Sequence, residues 1–203
     1  TGPPNITEAR HLIHGYMACV SFIDAQLGKI LDALEDPNGD TNTSDSILDS
    51  TVICLWSDHG FHLADHGGFW NKHSNYEQAT RVPLIFTAPG MDTLKSQGRQ
   101  HCGPVELVDV YPTLVDLACL PYPVQPAGQG LQGTSLVPVL EDPDQPWKKA
   151  AFTQYQRFLR DAGGNGIGWG MGYSIRTERY RYTEWWRTLS TAPQSSNTTD
   201  MHI

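Results

Sequence analysis

An acid and an imidazole stand side by side at Asp58-His59, directly after the apolar run Thr51-Val-Ile-Cys-Leu-Trp56 and inside the turn Ser57-Asp-His-Gly60. One supplies a charged oxygen and the other a nitrogen lone pair, so together they read as ligands for a bound cation. The loop that follows adds His62, Asp65, His66, Trp70, Lys72 and His73. Solvated polar residues are ordinary in loops. What favours a site is place: in open α/β sheets, ligands collect at the carboxyl ends of strands, where loops project polar groups without disturbing the core.

The elements that must hold these residues can be drawn from pattern alone. Residues 51–56 are β-branched and apolar and are cut off by Gly60, as expected of a fully buried strand in a parallel sheet. Upstream, Ile13, Tyr16, Met17, Val20, Ile23, Leu27, Ile30, Leu31 and Leu34 recur at three-and-four spacing, which predicts a helix from about Thr7 to Leu34 with one buried face. Thr7 is the expected N-cap and Pro37 the stop. The Asp36 to Ser50 stretch is polar and reads as a surface loop.

A second strand is expected at about Val82 to Thr87, with Pro83 placing it at an edge or a strand start. Val105 to Leu120 reads as a helix interrupted or restarted at Pro112. Pro121 to Gly133 reads as a linker. Ala151 to Tyr155 and Tyr173 to Trp185 are aromatic and β-rich, with Gly163 to Gly172 as a flexible loop between them. The tail after Ser190 has the composition of a disordered segment.

Val52 to Gly60, His66-Gly67, Trp70-Asn-Lys72, Ser74-Asn75, Ala79-Thr80, Arg81-Val-Pro-Leu-Ile85 and Pro89-Gly90 together resemble the second half of the sulfatases. They are most similar to the iduronate-2-sulfatase branch. Tyr16-Met-Ala18, Val20-Ser21, Asp24 and Gly28 extend the likeness upstream. Val105-Glu-Leu-Val-Asp109, Tyr111-Pro-Thr-Leu114, Gly133-Thr-Ser-Leu136 and Met171-Gly-Tyr-Ser-Ile-Arg-Thr177 with Tyr180-Arg-Tyr-Thr183 extend it downstream. A lone Asp-His-Gly is weak; the ordered set spans nearly the whole chain.

The resemblance implies an α/β fold. Residues 1–145 would be the C-terminal part of an alkaline-phosphatase-like mixed sheet sandwiched by helices. Residues 146–203 would be a small antiparallel-sheet subdomain. It implies calcium-dependent hydrolysis of a sulfate ester on a sugar or glycosaminoglycan, by a formylglycine made from a cysteine. Asp58 and His59 match the second pair of metal-ligand positions, and Lys72 matches the catalytic lysine that contacts sulfate. His66 and Trp70 are candidates to line the substrate pocket, as is His62. A hard cation prefers oxygen. An imidazole nitrogen suits zinc on ligand preference, but the iduronate-2-sulfatase branch carries histidine at this position, which keeps calcium the expected ion.

The chain departs from the family in two respects. None of its four cysteines begins the nucleophile motif, Cys or Ser followed by x-Pro-x-Arg, and the early Asp-Asp pair is missing. Both normally lie upstream. The expectation is a C-terminal portion holding half a site, inactive alone. A zinc-dependent phosphohydrolase of the same superfamily and a non-catalytic remnant are the rivals. Arg176, Arg179 and Arg181 alternate as a strand would, and a solvated face is their default.

Composition sets outer bounds. With a net charge of −8 over 203 residues, broad electrostatic attraction to nucleic acid is not expected, although one sulfate in a locally positive pocket is compatible. No apolar stretch approaches the roughly 20 residues that span a bilayer. Cys19, Cys54, Cys102 and Cys119 contain no Cys-x-x-Cys pair, and a bridge between Cys102 and Cys119 is left open. Sequons at Asn5, Asn42 and Asn197, with the family likeness, point to a lysosomal, secreted or periplasmic protein. The first residue is Thr1, so a processed, truncated or partial chain is expected.

Overall fold

The computed structural model of the chain describes residues 4–91, 97–124, 126, 129–188 and 201–202. Helix α1 runs Ile6–Glu35. Its cap is Asn5 rather than Thr7: the Asn5 side chain accepts from the Thr7 and Glu8 N–H groups at 3.0 Å, and the Glu8 carboxylate accepts from the Asn5 N–H at 2.9 Å. The Asn5-x-x-Glu8 spacing makes a reciprocal capping box, which Thr7 could not close. The helix stops at Asp36, before Pro37 as expected.

The apolar stripe of α1 is not buried. Met17 is 56% exposed, Val20 54%, Ile23 55% and Ile30 57%, and Ala9 is the helix's buried residue. The turn Leu48–Ser50, the Ile47 N–H bonded to Leu34 O at 2.9 Å, and the Phe61 ring, 5.8 Å from the Tyr16 ring, come against the helix. The strand after it departs from expectation in the same way. β1, Ile53–Trp56, pairs antiparallel with β2, Leu84–Thr87, with Ile53 opposite Thr87. It is half-exposed rather than fully buried in a parallel sheet, because no described element covers both of its faces. Pro83 sits just before β2, where its missing N–H breaks no ladder bond.

Between the two strands, residues 57–81 form a long loop with two single turns, α2 (Asp65–Gly68) and α3 (Glu77–Thr80). The loop folds back on itself at Gly60, whose N–H donates to Ala79 O at 2.9 Å. A Cβ at Gly60 would lie 2.0 Å from Gln78 O, so the approach admits only glycine.

A compact polar and apolar core follows. α4, Val110–Leu117, is preceded by the 3-10 turn Leu107–Asp109, and Pro112 falls in its first turn. α5 is Val137–Glu141. Val110, Val115, Leu136 and Val139 are buried between them. Asp109, fully buried, accepts from Thr134 N–H at 2.8 Å and from Lys148 at 2.6 Å. Thr113 donates to Asp109 O and accepts from Leu136 N–H. Lys148 also meets Glu106 at 2.8 Å, and Glu106 accepts the Phe152 N–H at 2.9 Å. These bonds cross position 145, where the sequence placed a boundary. Burial pushes the Lys148 pKa down, but its bonds to Asp109 and Glu106 outweigh that and hold it above its ordinary value.

The remainder is an antiparallel sheet of β3 (Ala150–Arg160), β4 (Gly166–Thr177), β5 (Arg181–Thr188) and β6 (Met201–His202), in that order. The expected loop Gly163 to Gly172 is mostly strand. The turn is confined to residues 161–165, where the Asp161 carboxylate accepts the Gly163 and Asn165 N–H groups. Glycines 166, 170 and 172 are tolerated in β4 because Phe158, Leu159 and Trp185 lie over them, where Cβ atoms would clash. All four cysteines are free, so Cys102 and Cys119 are not bridged. Apart from residues 201–202, the tail after Ser190 lies outside the described residues.

Candidate active site

At the exit of β1, the Ser57 hydroxyl donates to His59 O at 2.7 Å and tightens the turn. His59 Nδ1 lies 2.9 Å from Gly60 O. A carbonyl only accepts, so the Nδ1–H donates to it. That fixes the tautomer and leaves Nε2 with its lone pair. Asp58 Oδ2 lies 3.4 Å from this Nε2, and the Lys72 ammonium donates to it. Two lone-pair atoms therefore converge beside one cationic group. The arrangement fits part of a metal site: metal-bound histidines characteristically give their other N–H to a carbonyl or carboxylate, which aims the ligating nitrogen. The donor set is partial, since the described residues hold no cluster of three or more His, Cys, Asp or Glu side chains able to enclose an ion.

Lys72 reaches His59 because its loop is clamped on both sides. The His62 N–H donates to Asn71 O at 2.8 Å, and His62 Nε2 lies 2.8 Å from Ser74 Oγ. His62 is fully buried among the rings of Phe69, Tyr76 and His66. Its Nδ1 has no hydrogen-bond partner, with Asp65 Oδ2 at 3.7 Å. Burial pushes its pKa below the ordinary 6.5, only partly opposed by Asp65. It is a core histidine under the loop, not a pocket lining.

The other candidates scatter. His66, left-handed at φ 52, stacks on Tyr76 with centroids 4.5 Å apart and meets Gln78 at 3.2 Å. Trp70 packs edge-on against Phe61 at 6.1 Å, in a chain of rings leading to Tyr16. His73 stacks on Tyr155, joining the loop to β3.

Two arginines expected on a solvated face are ion-paired. Arg176 and Arg181 both bond Glu77, at 3.0 and 2.9 Å, and Arg181 also donates to Asn75 O and Thr80. The α3 turn lies on the sheet and brings a carboxylate to them. Burial raises the Glu77 pKa, but bonds from both arginines outweigh it and hold it below its ordinary value. Arg179 instead stands 5.0 Å over the Tyr180 ring. Asn75 completes the seam: its amide donates to Gly172 O at 3.0 Å and accepts from Thr153. Glu77 carried no sequence signal; its role depends on a strand a hundred residues away.

With this geometry in view, comparison with known proteins assigns the family. A profile described as Sulfatase matches residues 1–120, more than half of the chain, and one described as N-sulphoglucosamine sulphohydrolase, C-terminal, matches residues 64–194. The chain belongs to the sulfatase family. It is 32% identical to human iduronate 2-sulfatase over 228 residues, covering 91% of this chain and 40% of that protein. It is 31% identical to chicken arylsulfatase K, covering 96% of this chain and 33% of that one. A crystal structure assigned as a sulfatase from Bacteroides thetaiotaomicron superposes with a TM-score of 0.64 at 26% identity, over 89% of this chain and 35% of that chain. This sulfatase chain thus spans well under half the length of these relatives. No described helix is long and apolar enough to cross a membrane.

Proposed function

We propose that this chain supplies the C-terminal part of a calcium-dependent sulfuric ester hydrolase acting on a sulfated sugar or glycosaminoglycan, in a lysosomal, secreted or periplasmic setting. The observation that carries the reading is His59, whose Nδ1–H is given to Gly60 O while Nε2 faces Asp58 and the Lys72 ammonium. Asp58 and His59 would hold the ion, which when bound supplies fixed positive charge to sulfate oxygens. Lys72, a compact charge on a flexible stem, then turns from His59 to the sulfate or its leaving oxygen. There it stabilises the negative charge that grows as the ester bond breaks. The nucleophile and the remaining metal carboxylates belong, on this reading, to a longer polypeptide. That polypeptide would also cover the exposed stripe of α1 and the open faces of β1.

The test is sulfate release from a sulfated monosaccharide, with metal analysis, in that longer polypeptide and in the 203-residue chain. Calcium and turnover in the first, with none in the second, is the expected outcome. Turnover by the chain alone overturns the half-site reading. Because His59 offers nitrogen, stoichiometric zinc with phosphate-ester hydrolysis would instead establish the related phosphohydrolase.

A further inference from the structure

Beside the Lys72 loop, the four-stranded sheet carries a second place for a ligand. A cavity of about 430 Å³ opens between that loop and the sheet, walled by Asn75, Tyr76, Arg157, Thr183 and Trp185. Its volume lies in the range of small-molecule sites, roughly 300–1,000 Å³. Tyr155, Gly172 and Trp185 are aligned across β3, β4 and β5, and Arg157 is aligned with Gly170. The Trp185 ring lies over Gly172 and the Leu159 side chain over Gly170, and the Arg157 guanidinium stands beside that ring.

Arg157 is the unusual member of this wall. Arg181, also at the cavity, has its charge answered by Glu77. Among the described residues Arg157 pairs with no carboxylate; its guanidinium carbon stands 5.9 Å from the centre of the Trp185 ring. An exposed cation held beside an aromatic ring, in a protein of net charge −8, is free to grip an anion. Its planar fork suits a sulfate or a carboxylate bidentately. Trp185 and Tyr76 offer apolar ring faces, while Thr183 and Asn75 offer hydroxyl and amide groups.

The cavity is bounded on one side by residues 74–76 of the loop that carries Lys72. A second hollow, of about 280 Å³, lies at the edge strand β3, and Arg157 lines both. Asn71 and His73, which flank Lys72 in sequence, line the second hollow. Arg157 therefore stands between the hollow lined by the sequence neighbours of the lysine and the cavity lined by Trp185.

We propose that Arg157 and Trp185 form a subsite for a negatively charged sugar unit, adjoining the unit processed at Lys72. This rests on the sulfatase reading above and extends it: the substrate is an anionic oligosaccharide, held by a second unit as well as by its sulfate ester. Arg157 grips the sulfate or carboxylate of the second unit and Trp185 packs on its ring.

The experiment is an NMR titration of the 203-residue chain followed at the Trp185 indole N–H. The probes are N-acetylglucosamine 6-sulfate, glucuronic acid and uncharged N-acetylglucosamine. Both anionic sugars should shift the resonance saturably, and the neutral one should not. Arg157→Gln should weaken binding by about tenfold or more, the effect of losing a charge-assisted contact. Arg160→Gln removes an exposed charge on the same strand outside the cavity and should change the affinity by less than about twofold. Arg157 is exposed, so its replacement leaves the fold intact, and an unchanged amide spectrum verifies this. Equal response to the neutral sugar, or indifference to Arg157→Gln, overturns the subsite. Lys72→Ala separates the two readings. It should leave the Trp185 response in place, so loss of catalysis in that variant speaks only to the sulfatase site.

Discussion

His62 is expected to hold Lys72 in place, and His62→Ala shows how much this costs. The ring is fully exclusive of solvent, wedged among Phe69, Tyr76 and His66, and bonded to Ser74 Oγ at 2.8 Å. Truncating a buried aromatic-sized side chain costs about 3–5 kcal/mol through lost contacts and the cavity left behind. Ser74 keeps the Tyr76 N–H as a donor at 3.3 Å, so its hydroxyl is not wholly orphaned and adds only about 1 kcal/mol. The sum, about 4–6 kcal/mol, rivals the whole stability of a small domain. Ser74→Ala removes both hydrogen bonds of that hydroxyl, to His62 and from the Tyr76 N–H, and strands Nε2 beside an already unpaired Nδ1, costing about 1–3 kcal/mol. Urea unfolding of the two single variants and the double variant should reveal coupling of about 0.5–3 kcal/mol. The imidazole also sets a pH dependence. Its folded pKa lies below 6.5, so the unfolded chain binds the extra proton first. The His62 contribution is full above about pH 6.5 and is lost as pH falls through the folded value. His62→Gln should flatten that limb. A loss below about 1 kcal/mol in His62→Ala, or additive single variants, would refute the clamp.

Three further outcomes follow from the site. In the longer polypeptide, Lys72→Ala should lower kcat about 10²-fold or more with unchanged thermal stability, and Lys72→Arg should not restore it; near-normal kcat would return this lysine to the surface. Asp58→Asn should reduce calcium content and activity together, whereas His59→Asn, keeping an amide oxygen, should be milder; unchanged metal in both variants would dismiss the assignment. Glu77→Gln should cost about 1–2 kcal/mol in urea unfolding, less than a fully buried pair because Glu77 is partly exposed. Since its folded pKa is depressed, its contribution is present above its ordinary 4.5 and lost as pH falls through the folded value, so the variant should show less acid destabilisation.

The candidate site was nominated from order alone. Asp58-His59 after an apolar run, and Lys72 beyond it, depend on local chemistry: a strand needs branched apolar residues, its exit needs glycine, and a cation needs lone pairs. Helix α1 was legible for the same reason, since three-and-four spacing is written within one segment. Its cap differs from the Thr7 that composition suggests, because the Asn5-x-x-Glu8 spacing closes a reciprocal box earlier in the chain. The family followed from the ordered motifs, because residues that meet in space must keep their order along the chain.

What the sequence by itself could not determine is what each surface meets. The stripe of α1 reads as a buried face, yet Val20 and Ile23 are more than half exposed, because periodicity states that a face is apolar and not whether anything covers it. Arg176 and Arg181 alternate like a solvated strand, and only the docking of Glu77 from residue 77 turns them into ion pairs. Gly166 to Gly172 has the composition of a loop, and cross-strand cover from Phe158, Leu159 and Trp185 makes it a strand. Arg157 comes to stand by the Trp185 ring only once β3 and β5 flank β4. Local bonding and periodicity are properties of neighbouring residues, whereas burial, ion pairing and cavities belong to contacts made across many tens of residues, and these only the tertiary structure decides.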